Sequence, residues 1–186
     1  MNDYARVCFL QRFRGMKTFA AITLLLITGC QGFPDYEVAT QETRDGVTVT
    51  LAYEFDAMIR TVTHDDVFKA AEAVRKAWVK MTGYSPDACL ETVFVEVISD
   101  PTFDGYYGAS SAVGMTDYAA MDGVHPIYLR ESYLLTTPDD AVRLLTHELI
   151  HKAEMCLGGS GEHSDPVLWG YREDPSVENL ANLLTQ

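Results

Sequence analysis

Basic residues are scarce in this chain of 186 residues, in which 14 lysine and arginine side chains stand against 27 acidic ones and the formal charge is −13. Nucleic-acid phosphates select for clustered lysine and arginine, so this composition argues against a nucleic-acid-binding protein. The sequence also lacks an internal repeat. With 47% hydrophobic residues, it is not typical of a disordered, collagenous or coiled-coil chain, and it predicts one globular domain.

A long hydrophobic run is lacking as well, because the apolar run at 18–27 is too short to cross a bilayer as a mature helix. This run follows Lys17 and ends shortly before Cys30, which is preceded by the small residue Gly29. The order resembles the bacterial lipoprotein signal, which implies removal of residues 1–29 and lipidation of Cys30. The alternative is a plain secretory signal that is cut nearby and still exports the chain.

Loss of this segment changes the charge of the chain. It removes four basic residues and one acidic residue, so the charge falls from −13 to −16. Such a surface repels anionic headgroups, and attachment to a membrane would therefore depend on the lipid. We expect a location at the bacterial cell envelope, facing the periplasm or the exterior. Gln31 favours the outer membrane, because an aspartate at this position is associated with inner-membrane retention. Either Met1 or Met16 could be the start.

Cysteine is rare in the remaining part, which contains only Cys89 and Cys156 besides Cys30. An oxidising envelope compartment would let these two cysteines pair, and closing so long a loop would stabilise the fold by about 2–4 kcal/mol. We therefore predict a disulfide between Cys89 and Cys156. The competing interpretation is that Cys89 is a metal ligand.

Hydrophobic periodicity predicts an α+β domain over 46–186, preceded by a polar tether over 30–45. Alternation and β-branched residues predict strands at 47–55, 91–98, 110–116 and 126–130. Apolar residues at helical spacing predict helices at 64–82, 138–156 and 175–184. The first helix has a capping-box signal at Thr63 and Asp66, and the second has a threonine cap followed by proline at Thr137 and Pro138.

The helix predicted at 138–156 contains the sequence HELIH at 147–151. A spacing of four residues places His147 and His151 on one helical face, one turn apart, where both can bind one metal ion. Glu148 is displaced around the helix and could reach a water molecule at that metal. The alternative is a pair of surface histidines on an amphipathic helix.

A catalytic zinc ion usually has three protein ligands, so a third ligand is needed. His163 is the best candidate, because the glycine-rich segment 158–161 permits the chain to turn back. Glu178 on the last helix is an alternative. Glu154, one turn beyond His151, is interpreted as a group that supports the ligands or faces solvent. Further possible ligands are Glu162, Asp165, Glu173 and an unpaired Cys89.

The HELIH sequence and the order of the predicted elements resemble the zincin metallopeptidases. This resemblance implies a small twisted mixed sheet with a backing helix and an active-site helix. It implies Zn²⁺ bound by His147, His151 and His163, with Glu148 as the general base, and a peptide or protein substrate. The chain differs from the metzincin branch, since Glu154 stands where that branch has a glycine, and no methionine follows to make its Met-turn.

The zincin resemblance also implies that an edge strand binds the extended substrate, and the strand at 110–116 is the candidate. Ser110, Ser111 and Gly114 are small residues there that would let a peptide approach, although they could equally be ordinary turn residues. The pair at 106–107, both tyrosines, could line a pocket or pack locally. Tyr171 is a possible transition-state stabiliser, and packing against a neighbouring tryptophan is its alternative role.

These observations lead to the hypothesis of a zinc-dependent endopeptidase tethered to the bacterial envelope. Two alternatives remain open. The first is a non-catalytic lipoprotein of the envelope that binds zinc or a protein partner. The second is a zinc amidohydrolase that acts on cell-wall peptide by the same chemistry.

Overall fold

A computed structural model describes residues 36–54, 62–107, 112–117, 124–137, 140–170 and 174–186 of the chain. The predicted signal segment at 1–29, the lipidation site Cys30 and the residues Ser110, Ser111 and Tyr171 lie outside the described residues. None of the described helices is both long enough and apolar enough to cross a membrane.

The described residues form an α+β fold, as the sequence predicts. The elements in chain order are β1 (Tyr36–Arg44), β2 (Val47–Glu54), α1 (His64–Thr82), α2 (Asp87–Leu90), β3 (Thr92–Ile98), α3 (Asp100–Tyr107), β4 (Gly114–Thr116), β5 (Ile127–Arg130), α4 (Glu131–Thr136), α5 (Ala141–Cys156) and α6 (Val177–Leu184).

The strands form one mixed sheet in the order β1-β2-β3-β5-β4. Strands β2, β3 and β5 run parallel to one another, while β1 is antiparallel to β2 and β4 is antiparallel to β5. The four predicted strands are confirmed, although β4 is shorter than the predicted 110–116. Because β4 lies at the end of the order, it is an edge strand, and its position decides how the functional site is built.

Strand β1 corrects the prediction of a polar tether over 30–45, which is wrong from residue 36 to residue 44. All of β1 pairs with β2 in an antiparallel hairpin. The turn contains Asp45 and Gly46, whose φ angles are 50° and 82°, and Asp-Gly is a strong signal for such a hairpin. Periodicity does not predict β1, because this strand is polar, lies at the edge of the sheet and lacks alternating apolar residues.

Helix α1 covers the range that the sequence predicts. Thr63 and Asp66 form the expected capping box, and Gly83 ends the helix with a φ angle of 81°. Its apolar side packs against α5, α6 and β2. The core lies between these helices and one face of the sheet, where Val93, Val95 and Val97 of β3 are fully buried.

Three short helices, α2, α3 and α4, were not predicted. Asp100 and Pro101 follow the strand predicted at 91–98, and a proline there is typical of the end of a strand, but these two residues also begin α3. Proline disfavours the interior of a strand because it has no N–H to donate. It is tolerated in the first turn of a helix, where that N–H would have no intrahelical partner.

The predicted disulfide is confirmed, since Cys89 in α2 is bonded to Cys156, the last residue of α5. The bond joins positions 67 residues apart in the sequence. It ties down the end of the helix that carries the HELIH sequence. It also excludes the interpretation of Cys89 as a metal ligand.

Candidate active site

Helix α5 presents two histidines and one glutamate to a cavity while its other side is buried. Leu145, Leu149 and Ala153 are fully buried in the core, as the predicted apolar stripe requires. His147 and His151 lie one turn apart on the cavity side, with their ring centroids 4.8 Å apart. The described part of the helix begins at Ala141, and the predicted start at Pro138 lies outside the described residues.

The segment after α5 turns back and brings His163 to the same place. Two of its glycines, Gly158 and Gly161, have φ angles of 88° and 71°, which favour glycine over other residues. Gly159 is close to the helix, since a Cβ atom on it would lie 2.4 Å from Glu154 Cγ. This tight reversal is the one that the glycine-rich sequence predicts.

The three histidines can form a metal site. His147 Nε2 lies 3.2 Å from His151 Nε2 and 3.1 Å from His163 Nε2. All three ligand atoms lie within 4.8 Å of one another. Nitrogens bound tetrahedrally to zinc at about 2.0–2.1 Å would be about 3.3 Å apart, which is close to the two distances from His147 Nε2.

The surroundings favour the neutral form of His151 and His163, which is the form that binds a metal. Burial lowers the pKa of His151 to about 3, and the positive charges of His147 and His163 contribute to the shift. The backbone of Gly161 acts in the opposite direction on this pKa. That contact is weak, because the buried His151 Nδ1 atom has no partner with regular hydrogen-bond geometry among the described residues. Burial also lowers the pKa of His163.

Glu178 of α6 orients the first histidine. Its Oε1 atom lies 2.8 Å from His147 Nδ1, and a carboxylate can only accept, so His147 Nδ1–H is the donor. The neutral ring then has its lone pair on Nε2, which faces the other two histidines. Glu178 is therefore a support for a ligand, and the structure does not place it in the ligand group as the sequence alternative suggested.

We expect Glu178→Ala to weaken zinc binding by about 10- to 100-fold, because an outer carboxylate fixes the ligand's tautomer and raises its basicity. Competition with a coloured chelator would measure the dissociation constant. Glu178→Gln should have a smaller effect, since its amide oxygen can still accept from Nδ1–H. Equal affinities for wild type and Glu178→Ala would contradict this role.

Glu148 is buried at the same cavity, with 3% of its surface exposed. Burial raises the pKa of its carboxyl group, while the charge of His147 and a hydrogen bond from Thr116 lower it. Thr116 Oγ1 lies 2.8 Å from Glu148 Oε2 and 2.9 Å from the Glu148 backbone oxygen, and it can donate to either. The edge strand β4 thus holds the carboxylate in place.

The cavity has a volume of about 490 Å³, and the edge strand β4 lines it. Residues 112–116 form one wall, α5 forms another, and residues 160–163 close one side. Gly114 lies directly over the carboxylate, since a Cβ atom there would be 2.8 Å from Glu148 Oε1. Gly114, one of the small residues of the predicted edge strand, therefore leaves room for the Glu148 carboxylate.

Trp169 is part of the site and was not predicted to be. Its ring centroid lies 4.3 Å from that of His151, 4.5 Å from that of His163 and 5.0 Å from that of His147. Its Nε1–H donates to Glu154 Oε2 at 3.2 Å. Of the two roles considered for Glu154, support of the ligands fits its position, because it is buried beneath the tryptophan.

The remaining candidates lie elsewhere or outside the described residues. Asp165 is a turn residue, because its side chain accepts a hydrogen bond from the backbone N–H of Val167. Glu162 is exposed and is not part of the ligand group. Glu173 is not among the described residues, and nothing is described of the tyrosine side chains at 106–107.

No protein-family model matches the chain, and no curated protein sequence matches it.

Proposed function

We propose that this chain is a zinc-dependent metallopeptidase with a zincin-like domain, and that it hydrolyses peptide bonds with Glu148 as the general base. One observation carries the proposal. The buried carboxylate of Glu148 and the three imidazoles of His147, His151 and His163 face one cavity beside β4, which pairs on one side only among the described strands. The Glu148 carboxylate lines this cavity and accepts from Thr116 of the edge strand, whereas the carboxylates of Glu178 and Glu154 bond to His147 and Trp169.

The three imidazoles would hold the zinc ion and leave a fourth position open, as in catalytic zinc sites. When bound there, zinc supplies a Lewis acid that lowers the pKa of water towards about 7 and polarises the scissile carbonyl. Two histidines come from α5, and the loop after the helix supplies the third. Glu178 keeps the lone pair of His147 directed at the metal position.

Glu148 would take a proton from the attacking water and deliver it to the leaving amine. Burial raises its pKa, which makes the carboxylate a stronger proton acceptor than an exposed glutamate. Thr116 limits its movement by hydrogen bonding to Oε2. A base that is held in this way loses little freedom when the reaction begins.

The edge strand β4 would bind the substrate backbone. Val113 and Asp117 direct their backbone groups at β5, since Arg130 N donates to Val113 O and Asp117 N donates to Pro126 O, both at 2.9 Å. In an antiparallel pair the alternate residues face the other way, so Gly114 and Thr116 direct theirs at the open edge. A peptide could pair there as an additional strand and pass directly by Glu148.

We expect Gly114→Ala to lower hydrolysis by about 10- to 100-fold while zinc affinity stays the same, because the added methyl group displaces the Glu148 carboxylate and small misplacements of a catalytic group are costly. Steady-state kinetics and a zinc titration would measure the two effects. Denaturant unfolding of Gly114→Ala is the control, because it shows whether the whole fold is affected. Unchanged hydrolysis in Gly114→Ala would contradict the close approach of β4 to the base.

The proposed function is tested by zinc content and by cleavage of an unfolded protein substrate. We expect one zinc per chain, loss of cleavage on chelation and its return when zinc is restored. Stoichiometric zinc without cleavage of proteins or cell-wall peptide would instead support the non-catalytic alternative. Cleavage of cell-wall peptide alone would support the amidohydrolase alternative.

We also propose that a lipid on Cys30 holds the domain at the bacterial cell envelope. The apolar run before Gly29 and Cys30 supports this location, and the Cys89–Cys156 disulfide suits an oxidising compartment. In bacteria fed an alkyne fatty acid, we expect labelling of the full chain to disappear in Cys30→Ala. Cys8→Ala should keep the label, because Cys8 precedes the proposed cleavage. Persistent label in Cys30→Ala would refute the anchor.

A further inference from the structure

The indole of Trp169 contacts all three histidines of the metal site. It is tilted by 36° against His151 at a centroid distance of 4.3 Å, and it makes an edge contact of 80° with His163 at 4.5 Å. His147 lies 5.0 Å away on the same ring. These distances fall in the range in which aromatic rings attract one another. One side chain, with only 8% of its own surface exposed, thus contacts the whole cluster.

Two hydrogen bonds hold Trp169, one from its indole and one from its backbone. Glu154 lies at the end of α5 and accepts the Trp169 Nε1–H bond at 3.2 Å. The backbone N–H of Trp169 donates to Asp165 O at 2.8 Å. The neighbouring residue Leu168 accepts from the N–H of Glu178 at 3.1 Å, so the same short segment also places the carboxylate that orients His147.

We propose that Trp169, held by Glu154, is a positioning residue that arranges the three imidazoles before the metal binds and thereby sets the metal affinity of the site. This inference depends on the proposed metal site but not on the proposed peptide hydrolysis. It gives a role to the buried carboxylate of Glu154, which has none in the reaction itself.

The physical reason lies in the third ligand. His163 is exposed and follows a glycine-rich reversal, so ordering it on metal binding would cost conformational entropy. Contact with a fixed indole restricts the imidazole in the metal-free protein. Part of the entropy cost of ordering His163 is then met during folding, and the metal binds more tightly to the prearranged ligands.

The first test compares zinc affinities of the full chain by competition with a coloured chelator. We expect Trp169→Leu, which keeps apolar volume but has no aromatic face, to weaken binding by about 10- to 100-fold. Trp169→Phe keeps an aromatic face and should recover part of the loss. The cobalt(II) absorption spectrum should change in Trp169→Leu, since it reports ligand geometry. Zinc affinity within about twofold of wild type together with an unchanged cobalt spectrum would overturn the proposal.

A matched pair of variants tests the role of Glu154. Glu154→Gln keeps an oxygen that can accept from the indole, and we expect nearly the wild-type affinity. Glu154→Leu has a similar size but no acceptor, and we expect a loss of about tenfold. An equal loss in both variants would refute the role of the hydrogen bond between Trp169 and Glu154, because it would assign the effect to the charge of Glu154.

Fluorescence gives a second measurement, in which the wild-type Trp169 itself reports zinc binding. The chain has two tryptophans, and Trp78 lies in the core on α1. We expect Trp78→Phe to be tolerated, because the buried Trp78 Nε1 has no hydrogen-bond partner among the described residues. Zinc should change the remaining Trp169 emission with a stoichiometry of one. In Trp169→Phe, the Trp78 emission should not respond. The reverse pattern would overturn the contact.

These measurements distinguish a failure of the proposed role of Trp169 from a failure of the proposed zinc site or of the proposed hydrolysis. Zinc binding without hydrolysis would refute the peptidase while leaving the affinities of the variants to decide this inference. Absence of zinc binding in the wild type would overturn both. If Trp169→Leu fails to fold, the Glu154 pair and the Trp78→Phe titration still decide whether the indole positions the ligands.

Discussion

Replacing Glu148 by glutamine should lower peptide hydrolysis by about 10³-fold while zinc remains bound. General-base catalysis contributes about 10²- to 10⁴-fold, and an amide cannot take the proton of the attacking water. The amide has nearly the same shape as the carboxylate and can still accept the hydrogen bond from Thr116 Oγ1, so the site should keep its structure. Steady-state cleavage and bound zinc should both be measured on one preparation.

A matched control for this variant is Glu72→Gln on helix α1, where the carboxylate is exposed and pairs with Lys76 away from the site. It should cleave as the wild type does. Glu148→Gln that cleaves as fast as the wild type would refute the mechanism. Loss of zinc together with activity would show that Glu148 acts through the ligands and is not the base.

Replacing His163 by alanine should weaken zinc binding by more than about 100-fold, because the cluster then has two ligands and loss of even an outer partner costs about 10- to 100-fold. The change should also appear in stability. Zinc at 100 times the wild-type dissociation constant stabilises the folded chain by about 2.7 kcal/mol, and a 100-fold weaker site would retain only about 0.4 kcal/mol. Denaturant unfolding with and without zinc would measure the difference.

The metal-free stability of His163→Ala should match that of the wild type, since the side chain is exposed. His64→Ala is the control, because His64 begins helix α1 and contacts Thr40 of β1 at a distance from the metal cluster. It should keep the full stabilisation by zinc. If His163→Ala also kept it, the third ligand would have to be another residue.

The parts of the fold that could be predicted are those in which local chemistry and burial agree. Helix α1 has its capping box, its apolar face and its terminal glycine within one continuous segment. Strand β1 could not be recognised from periodicity, because it is polar and gains its stability from pairing with β2. Its Asp-Gly turn was the available signal. Helix α3 was missed because Asp100 and Pro101 signal both an end and a beginning.

The candidate site also contains features that could be predicted from the sequence and features that could not. The spacing of His147 and His151 on a helix, and a flexible reversal before His163, could be read along the chain because each depends on neighbouring residues. The roles of Trp169 and Glu178 could not. They arise from the packing of a separate segment against α5, and no local pattern specifies which ring nitrogen or which ring face such a residue will meet.

The sequence by itself determined the longer helices, the apolar strands and the chemistry of the ligands, because backbone propensity, helical spacing and ionisable groups are properties of short segments. Only the tertiary structure decided that His151 and His163 lie within hydrogen-bonding distance of His147, that a buried carboxylate lies under Gly114, and that one indole contacts the cluster. Those contacts join residues far apart in the chain, and they form because burying the apolar faces of α5, α6 and the sheet fixes the relative positions of these segments.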